Sequence, residues 1–257
     1  MNWTVLPSAM RPNFIQSVYL QLPVTFNGNA YTPRQLFMER LIMSSFVREG
    51  SGLLPSGLSK EDWYVRAQHH GLPTRLLDWT LNPQIALWMA LDATNENDSD
   101  GVIIAMIPKA YDDKREIINY WNNERVLRFF SWMASPTNFS MDDEELDELC
   151  AYEAILTYAP NNVSARQLNQ QSRFTLHLPA AKDSTNVANV GLNDFYECRE
   201  FVVKASLKPY YRNFLYVSGI RRWNIYPDLD NLARGLREEQ IVTPGRSPVY
   251  ENMRLYN

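Results

Sequence analysis

Between positions 68 and 83 the chain concentrates the side chains most able to do chemistry: Gln68, His69, His70, Thr74, Arg75, Asp78, Trp79, Thr80 and Asn82. Arg75 and Asp78 can pair and still offer donors to a phosphate or a polar base, because a guanidinium carries five N–H groups. Trp79 presents a flat face on which a nucleobase or a nicotinamide can stack, and His69 can give or take a proton near neutral pH. The same residues also admit a scaffold reading, with Arg75–Asp78 as a buried staple, Thr80 and Asn82 as caps and Trp79 as core. A staple predicts that Arg75→Ala costs about 3–5 kcal/mol, since it strands a buried carboxylate. An open pocket predicts nearly intact stability. The open pocket is the expectation carried forward for Arg75, with partial destabilisation for Asp78→Ala.

A second cluster is Arg166-x-x-x-Gln170-x-Ser172-x-Phe174. Its Arg and Gln sit four apart, so on a helical turn both can reach one ligand, or both can tie a loop to a sheet. A third, from Tyr226 to Arg234, reads as structural, with Pro227 and Asp228 at a helix start. Histidine-based metal binding is not expected: His69 and His70 are adjacent and diverge, His177 is the only other imidazole, and H-E-x-x-H is absent. The sequence also lacks G-x-S-x-G, G-x-x-x-x-G-K-[ST] and G-x-G-x-x-G. Cys150 and Cys198 are the only cysteines, too few for a disulfide framework, and read as reduced thiols.

The elements that must position these groups can be read from periodicity. Apolar residues at 36, 37, 41, 42, 46 and 47 predict an amphipathic helix over 33–49, followed by a Gly- and Ser-rich loop at 50–58. Ser59 caps a helix that runs to about Gly71, and Asn82-Pro83 opens another, apolar nearly all round and so expected to be buried. Strands are expected at 101–107, 153–158, 173–178 and 200–205, and helices at 141–151, 207–218 and 228–239. Without a regular βαβ alternation this favours an α+β fold: one domain over 1–257, with a central, mostly antiparallel sheet flanked by helices.

The chain has 257 residues, 45% hydrophobic and 21% charged, which excludes collagen-like and wholly disordered classes. No long uncharged apolar run predicts a membrane span, and residues 1–14 lack the layout of a secretory signal, so the expected location is cytoplasmic. The net charge of −4 hides an asymmetry. Seven acids and no base lie in 142–153, the core of an acidic helical insertion expected at 141–151. Eight bases and three acids lie in 199–237, a basic region that suits a phosphate-bearing ligand.

These stretches together resemble the FRG domain family, whose members are mostly bacterial. The most specific match is Gln68-His69-x-Gly71-Leu-Pro-Thr-Arg-Leu-Leu-Asp-Trp-Thr80-x-Asn-Pro83, followed by Ala86-Leu87 and Ala90. Arg166-x-x-x-Gln170-x-x-x-Phe174-Thr is similar to a second family element, with Ser172 where the family has Gly. Tyr226-Pro-Asp-Leu-Asp resembles a third, and Trp3-x-Leu-Pro-Ser-x-x-Arg11 looks like the segment after the naming aromatic-Arg-Gly motif. That motif is expected upstream of Trp3 and does not occur here.

The naming motif is itself similar to the first motif of Arg-Ser-Glu ADP-ribosyltransferases, in which Arg holds the phosphates of NAD. The resemblance therefore implies an NAD-dependent ADP-ribosyltransferase-like enzyme, a toxin of a toxin–antitoxin or anti-phage defence system, with an antitoxin among its protein partners. On that reading Arg75 contacts phosphate, His69 or Thr80 the ribose, and Trp79 stacks on a ring, with Asp78, Asn82, Arg166 and Gln170 completing the cofactor site. Glu153 or Glu200 would stabilise the cation-like ribose of the transition state. The alternative is a non-catalytic module that binds a nucleotide, RNA or a protein through 68–83. A third reading is an RNA-cleaving enzyme with His69 as acid or base.

Overall fold

The structure is a computed structural model, and it describes residues 8–10, 34–91, 99–108, 124–135, 154–159, 164–178 and 196–242. The acidic segment 141–151, Cys150, Glu153, Trp3 and Arg11 lie outside the described residues.

The apolar three-and-four spacing forms α1 (Arg34–Gly50) as expected. α2 (Lys60–His69) is opened by Ser59, whose Oγ accepts from Asp62 N at 3.0 Å while Asp62 Oδ2 accepts from Ser59 N at 3.1 Å. This reciprocal pair satisfies two N–H groups that the first turn would otherwise leave bare. Gly71, at φ 86°, lets the chain leave the helix in a left-handed turn.

The stretch between this helix and the one opened by Asn82-Pro83, for which no strand is expected, contains one. β1 (Leu76–Thr80) lies beside β4 (Ser172–Leu178), which in turn pairs with β3 (Ala154–Tyr158). His177 N donates to Arg75 O at 3.0 Å, and Leu81 N donates to Gln171 O at 3.2 Å. Both bonds fit one antiparallel register. β3 and β4 are antiparallel too, with Ala154 opposite Leu178 and Tyr158 opposite Phe174. A second, two-stranded sheet joins β2 (Gly101–Pro108) to β5 (Tyr196–Val203). The α+β class and antiparallel sheets are those expected.

The chain forms two compact units, each made of three segments. The first holds 1–79, 108–161 and 173–197. In it α1, α2 and α4 (Glu124–Met133) pack on one another in pairs. Their inner faces meet the sheet in an aromatic chain: Tyr64 to Phe130 at 5.3 Å, Phe130 to Tyr158 at 5.7 Å, and Tyr158 to Phe174 at 6.0 Å. Each such pair adds about 0.5–1.5 kcal/mol beyond its area burial.

The second unit holds 80–107, 162–172 and 198–257. Asn82 Oδ1 accepts from Gln84 N at 2.9 Å and starts α3 (Pro83–Leu91), as its Asn-Pro signal predicts. α3 packs on α6 (Lys208–Val217), whose Arg212 Nη2 donates to the last carbonyl, Leu91 O, at 3.0 Å. The expectation that α3 is buried all round is corrected: Ile85 and Leu91 are buried while Met89 is exposed, because in so small a unit one face meets the neighbour and the other meets water. Leu91, Val203 and Leu215 form its core. α5 (Ala165–Gln170), α7 (Arg222–Ile225) and α8 (Leu229–Val242) complete it, α7 lying against both others. β5 starts four residues before the expected strand, with Tyr196 buried. After Val203 the chain turns through Ala205–Leu207, a 3₁₀ segment.

One close approach fixes how β2 follows α3. A Cβ added at Gly101 would come within 2.7 Å of Ala90 O, a backbone atom with no room to yield. Gly101→Ala should therefore lower stability by about 1–3 kcal/mol, the cost of overpacking. Urea unfolding with a midpoint unchanged from wild type would contradict this packing.

Candidate functional site

The 68–80 segment feeds a polar network into the core of the first unit. Arg75, only 4% exposed, donates from Nε to Glu39 Oε2 at 2.7 Å and from Nη2 to Glu39 Oε1 at 2.9 Å; Glu39 is 1% exposed. This side-on pairing is the strongest arrangement open to a guanidinium and a carboxylate. Arg75 N donates to Tyr64 Oη at 3.0 Å. Burial, and then the charge of Glu39, hold the Tyr64 hydroxyl well above its ordinary range. The open-pocket expectation for Arg75 thus meets a buried residue whose ion-pair partner lies on α1. Glu39 was not singled out in the sequence, although it stands in line with Met43 and Val47, both buried. A charge on the apolar stripe of a helix was the signal.

Asp78 is exposed on β1 and accepts from Gln68 Nε2 at 2.7 Å; it does not start the next helix, a task that falls to Asn82. Gln68 Oε1 in turn accepts from the buried Thr74 hydroxyl. Trp79 Nε1 donates to Thr175 Oγ1 at 3.0 Å, and Thr175 Oγ1 lies 3.2 Å from His177 Nε2. Burial, and then the Arg75 guanidinium, push His177 down to about 4, so it is neutral. His69 is half-buried, with its ring 6.2 Å from that of Phe174. Glu61, which accepts from Tyr158 Oη, is pushed up to about 7 by burial and by Asp62.

The other predicted residues fall in the second unit. Thr80 Oγ1 donates to Gln170 O at 2.6 Å and accepts from Asn82 N at 3.0 Å. Buried Gln170 donates from Nε2 to Ile225 O at 3.3 Å, and Asn169 Nδ2 donates to Asn224 O at 2.7 Å. These bonds tie α5 to α7. Arg166 stands with its guanidinium 4.8 Å from the Tyr226 ring centroid. The Tyr226 and Trp88 rings are 5.8 Å apart at 63°, and Arg222 lies 5.2 Å over Trp88.

Two guanidinium groups thus bracket an aromatic pair, built from α3, α5, α7 and the residue after α7. Asp228 is a cap: the Asn231 backbone and side-chain N–H groups hold its carboxyl below the usual range. The structural reading of 226–234 holds for Asp228, while Tyr226 packs between Trp88 and Arg166. Trp88 and Arg222 were missed, since each reads as core or solvated charge until the third segment is in place. Glu200 is exposed on β5.

Among the described residues no group of three or more His, Cys, Asp or Glu could hold a metal ion, and no helix is long and apolar enough to cross a membrane. The family model of the FRG domain matches residues 2–99. The match takes in the Gln68–Pro83 motif and α3, while the segments carrying Arg166 and Tyr226 lie beyond it. No curated protein and no solved structure matches the chain.

Two outcomes follow from the first unit. Arg75→Ala should destabilise by about 3–5 kcal/mol, because it leaves Glu39 buried without its partner. A melting temperature within a degree or so of wild type would contradict the pairing. His177 binds its proton less readily folded than unfolded, so its contribution is complete above about 6.5 and is lost as the pH falls toward 4. Glu61 acts with opposite sign, its contribution present below about 4.5 and lost as the pH rises through 7. Unfolding free energies between pH 7 and 4 should therefore fall less steeply for His177→Gln than for wild type. An equal slope would remove the buried neutral imidazole.

Proposed function

We propose that this chain, whose residues 2–99 match the FRG domain, binds a nucleotide and uses an NAD-type dinucleotide as an ADP-ribose donor. The observation that carries the reading is the bracket of Arg166, Tyr226, Trp88 and Arg222 in the second unit. Stacking engages the face of a guanidinium, whereas phosphate is held by its in-plane N–H groups, so one Arg can serve a ring and an anion together. Tyr226 and Trp88 supply aromatic surface of the kind that holds a base or a nicotinamide. The basic balance of 199–237 adds a favourable field for a polyphosphate.

In the transfer step the bond from ribose C1′ to the nicotinamide nitrogen breaks, nicotinamide leaves with the electron pair, and an acceptor nucleophile bonds to C1′ and gives up its proton. A carboxylate near C1′ would stabilise the developing cation; of the two residues expected in that role, Glu200 belongs to the second unit and Glu153 lies outside the described residues. In a cell this activity would act as a toxin, restrained by an antitoxin, in cytoplasmic defence against phage.

A second reading is favoured by a specific observation. Arg75, the family-motif Arg assigned to phosphate, is buried against Glu39. A module that binds nucleotide without turning it over needs no more than the stacked bracket.

Calorimetric titration with NAD, ADP-ribose and AMP, beside incubation with labelled NAD and cell extract, separates the two. Binding of ADP-ribose, at least tenfold weaker in Arg166→Ala, with label transferred to an acceptor, is expected. Binding without transfer or NAD loss would leave only the module. No affinity for any of the three nucleotides, with folded protein, would overturn both.

A further inference from the structure

We infer that the bracket of Arg166, Tyr226, Trp88 and Arg222 seats the adenine half of the dinucleotide and excludes its nicotinamide half. The inference rests on the nucleotide reading of that site and names the part of the ligand the site takes. Most of the aromatic surface in the bracket is already covered. The Arg166 guanidinium lies 4.8 Å over the Tyr226 ring, and that of Arg222 lies 5.2 Å over Trp88. At 63° the Tyr226–Trp88 pair is edge-to-face, so the edge of one ring covers a face of the other. Trp88 also packs on the core of Leu91, Val203 and Leu215. Two kinds of seat are left for a further ring. One is the remaining aromatic face, which has a guanidinium on the far side of its ring; the other is the outer side of a guanidinium itself. Either seat has a cation in contact or one ring away.

The two rings of an NAD-type dinucleotide differ in the property that such a seat senses. Oxidised nicotinamide carries a positive charge on its ring nitrogen, whereas adenine is neutral at pH 7. Like charges held one ring apart repel, a cost that adenine does not meet. The attraction that a ring face offers a cation is already used by the guanidinium groups. Adenine stacks equally on an aromatic ring or on a guanidinium plane. Arg166 and Arg222 are both half-buried, so water screens their charge only in part. Asp228 stands in the field of Arg166, but it is exposed, and both its oxygens accept from Asn231 Nδ2. Water therefore screens that carboxylate more than it screens the cations against the rings. Each half of the dinucleotide brings a phosphate, so the phosphate does not choose between them; the ring does. With adenine seated, nicotinamide and the bond from C1′ lie outside the bracket. Loss of nicotinamide then leaves the contacts of the bracket intact, and ADP-ribose should bind as tightly as NAD.

The test is calorimetric titration of the full chain with AMP, nicotinamide mononucleotide, NAD, NADH and ADP-ribose. AMP should bind about tenfold more tightly than nicotinamide mononucleotide, while NAD, NADH and ADP-ribose agree within about threefold. NADH is informative because reduction removes the ring charge and leaves the adenine half unchanged. In Arg222→Gln, which takes one cation from the bracket, the preference for AMP over nicotinamide mononucleotide should narrow by about threefold or more. Nicotinamide mononucleotide binding as tightly as AMP overturns the inference while nucleotide binding stands. So does an NADH affinity about tenfold different from that of NAD, or a preference for AMP that Arg222→Gln leaves unchanged. Folded protein that binds none of the five is a distinct result, which removes the nucleotide reading and this inference with it.

Discussion

An arginine and a glutamate removed from water together impose the constraint that the first unit is built around. Each charge alone would cost several kcal/mol to bury, and the two are tolerated because two short hydrogen bonds join them side-on. Arg75 meets Glu39 of α1 through its side chain, Tyr64 of α2 through its N–H and His177 of β4 through its carbonyl. One residue at the mouth of β1 therefore fixes the registration of two helices and two strands. The field of its guanidinium also reaches His177 and, together with burial, keeps that imidazole neutral inside the sheet. Trp79 Nε1, Thr175 Oγ1 and His177 Nε2 form one chain of hydrogen-bond contacts beside it.

The consequence for function is a division of labour. The 68–80 segment, densest in chemistry-bearing residues, spends most of them on holding its own strand: Gln68 on Asp78 and Thr74, Trp79 on Thr175, Arg75 on Glu39. The second unit instead stacks guanidinium groups on aromatic rings. Three segments far apart in sequence, around 88, 166 and 222–226, meet there because Gln170 and Asn169 tie α5 to the backbone of α7.

Much of this was legible in the sequence where a local signal exists. Ser59 with Asp62, Asn82 with Pro83, and the periodicity of 33–49 each name a helix end or face through one mechanism, and each element stands where it was expected. β1 was not legible, because five residues between two prolines carry too little alternation to separate a strand from a loop. The partner of Arg75 was hidden for a different reason. Asp78 is near in sequence, but on a strand residues three apart point to opposite faces, and the buried face belongs to α1. Long-range pairs such as Arg166 with Tyr226 leave no local trace at all. Their segments could be flagged as elements but not joined.

Arg75 belongs to the scaffold of the first unit, and the proposed nucleotide site is the bracket of Arg166, Tyr226, Trp88 and Arg222 in the second. The most direct test is the ADP-ribose affinity of a Glu39→Leu/Arg75→Met double variant, in which an apolar pair replaces the ion pair so that no buried charge is stranded. With the protein folded by circular dichroism, the account predicts a dissociation constant within about twofold of wild type, a difference under ~0.5 kcal/mol. Loss of ADP-ribose binding from a folded double variant would contradict it and return Arg75 to the ligand.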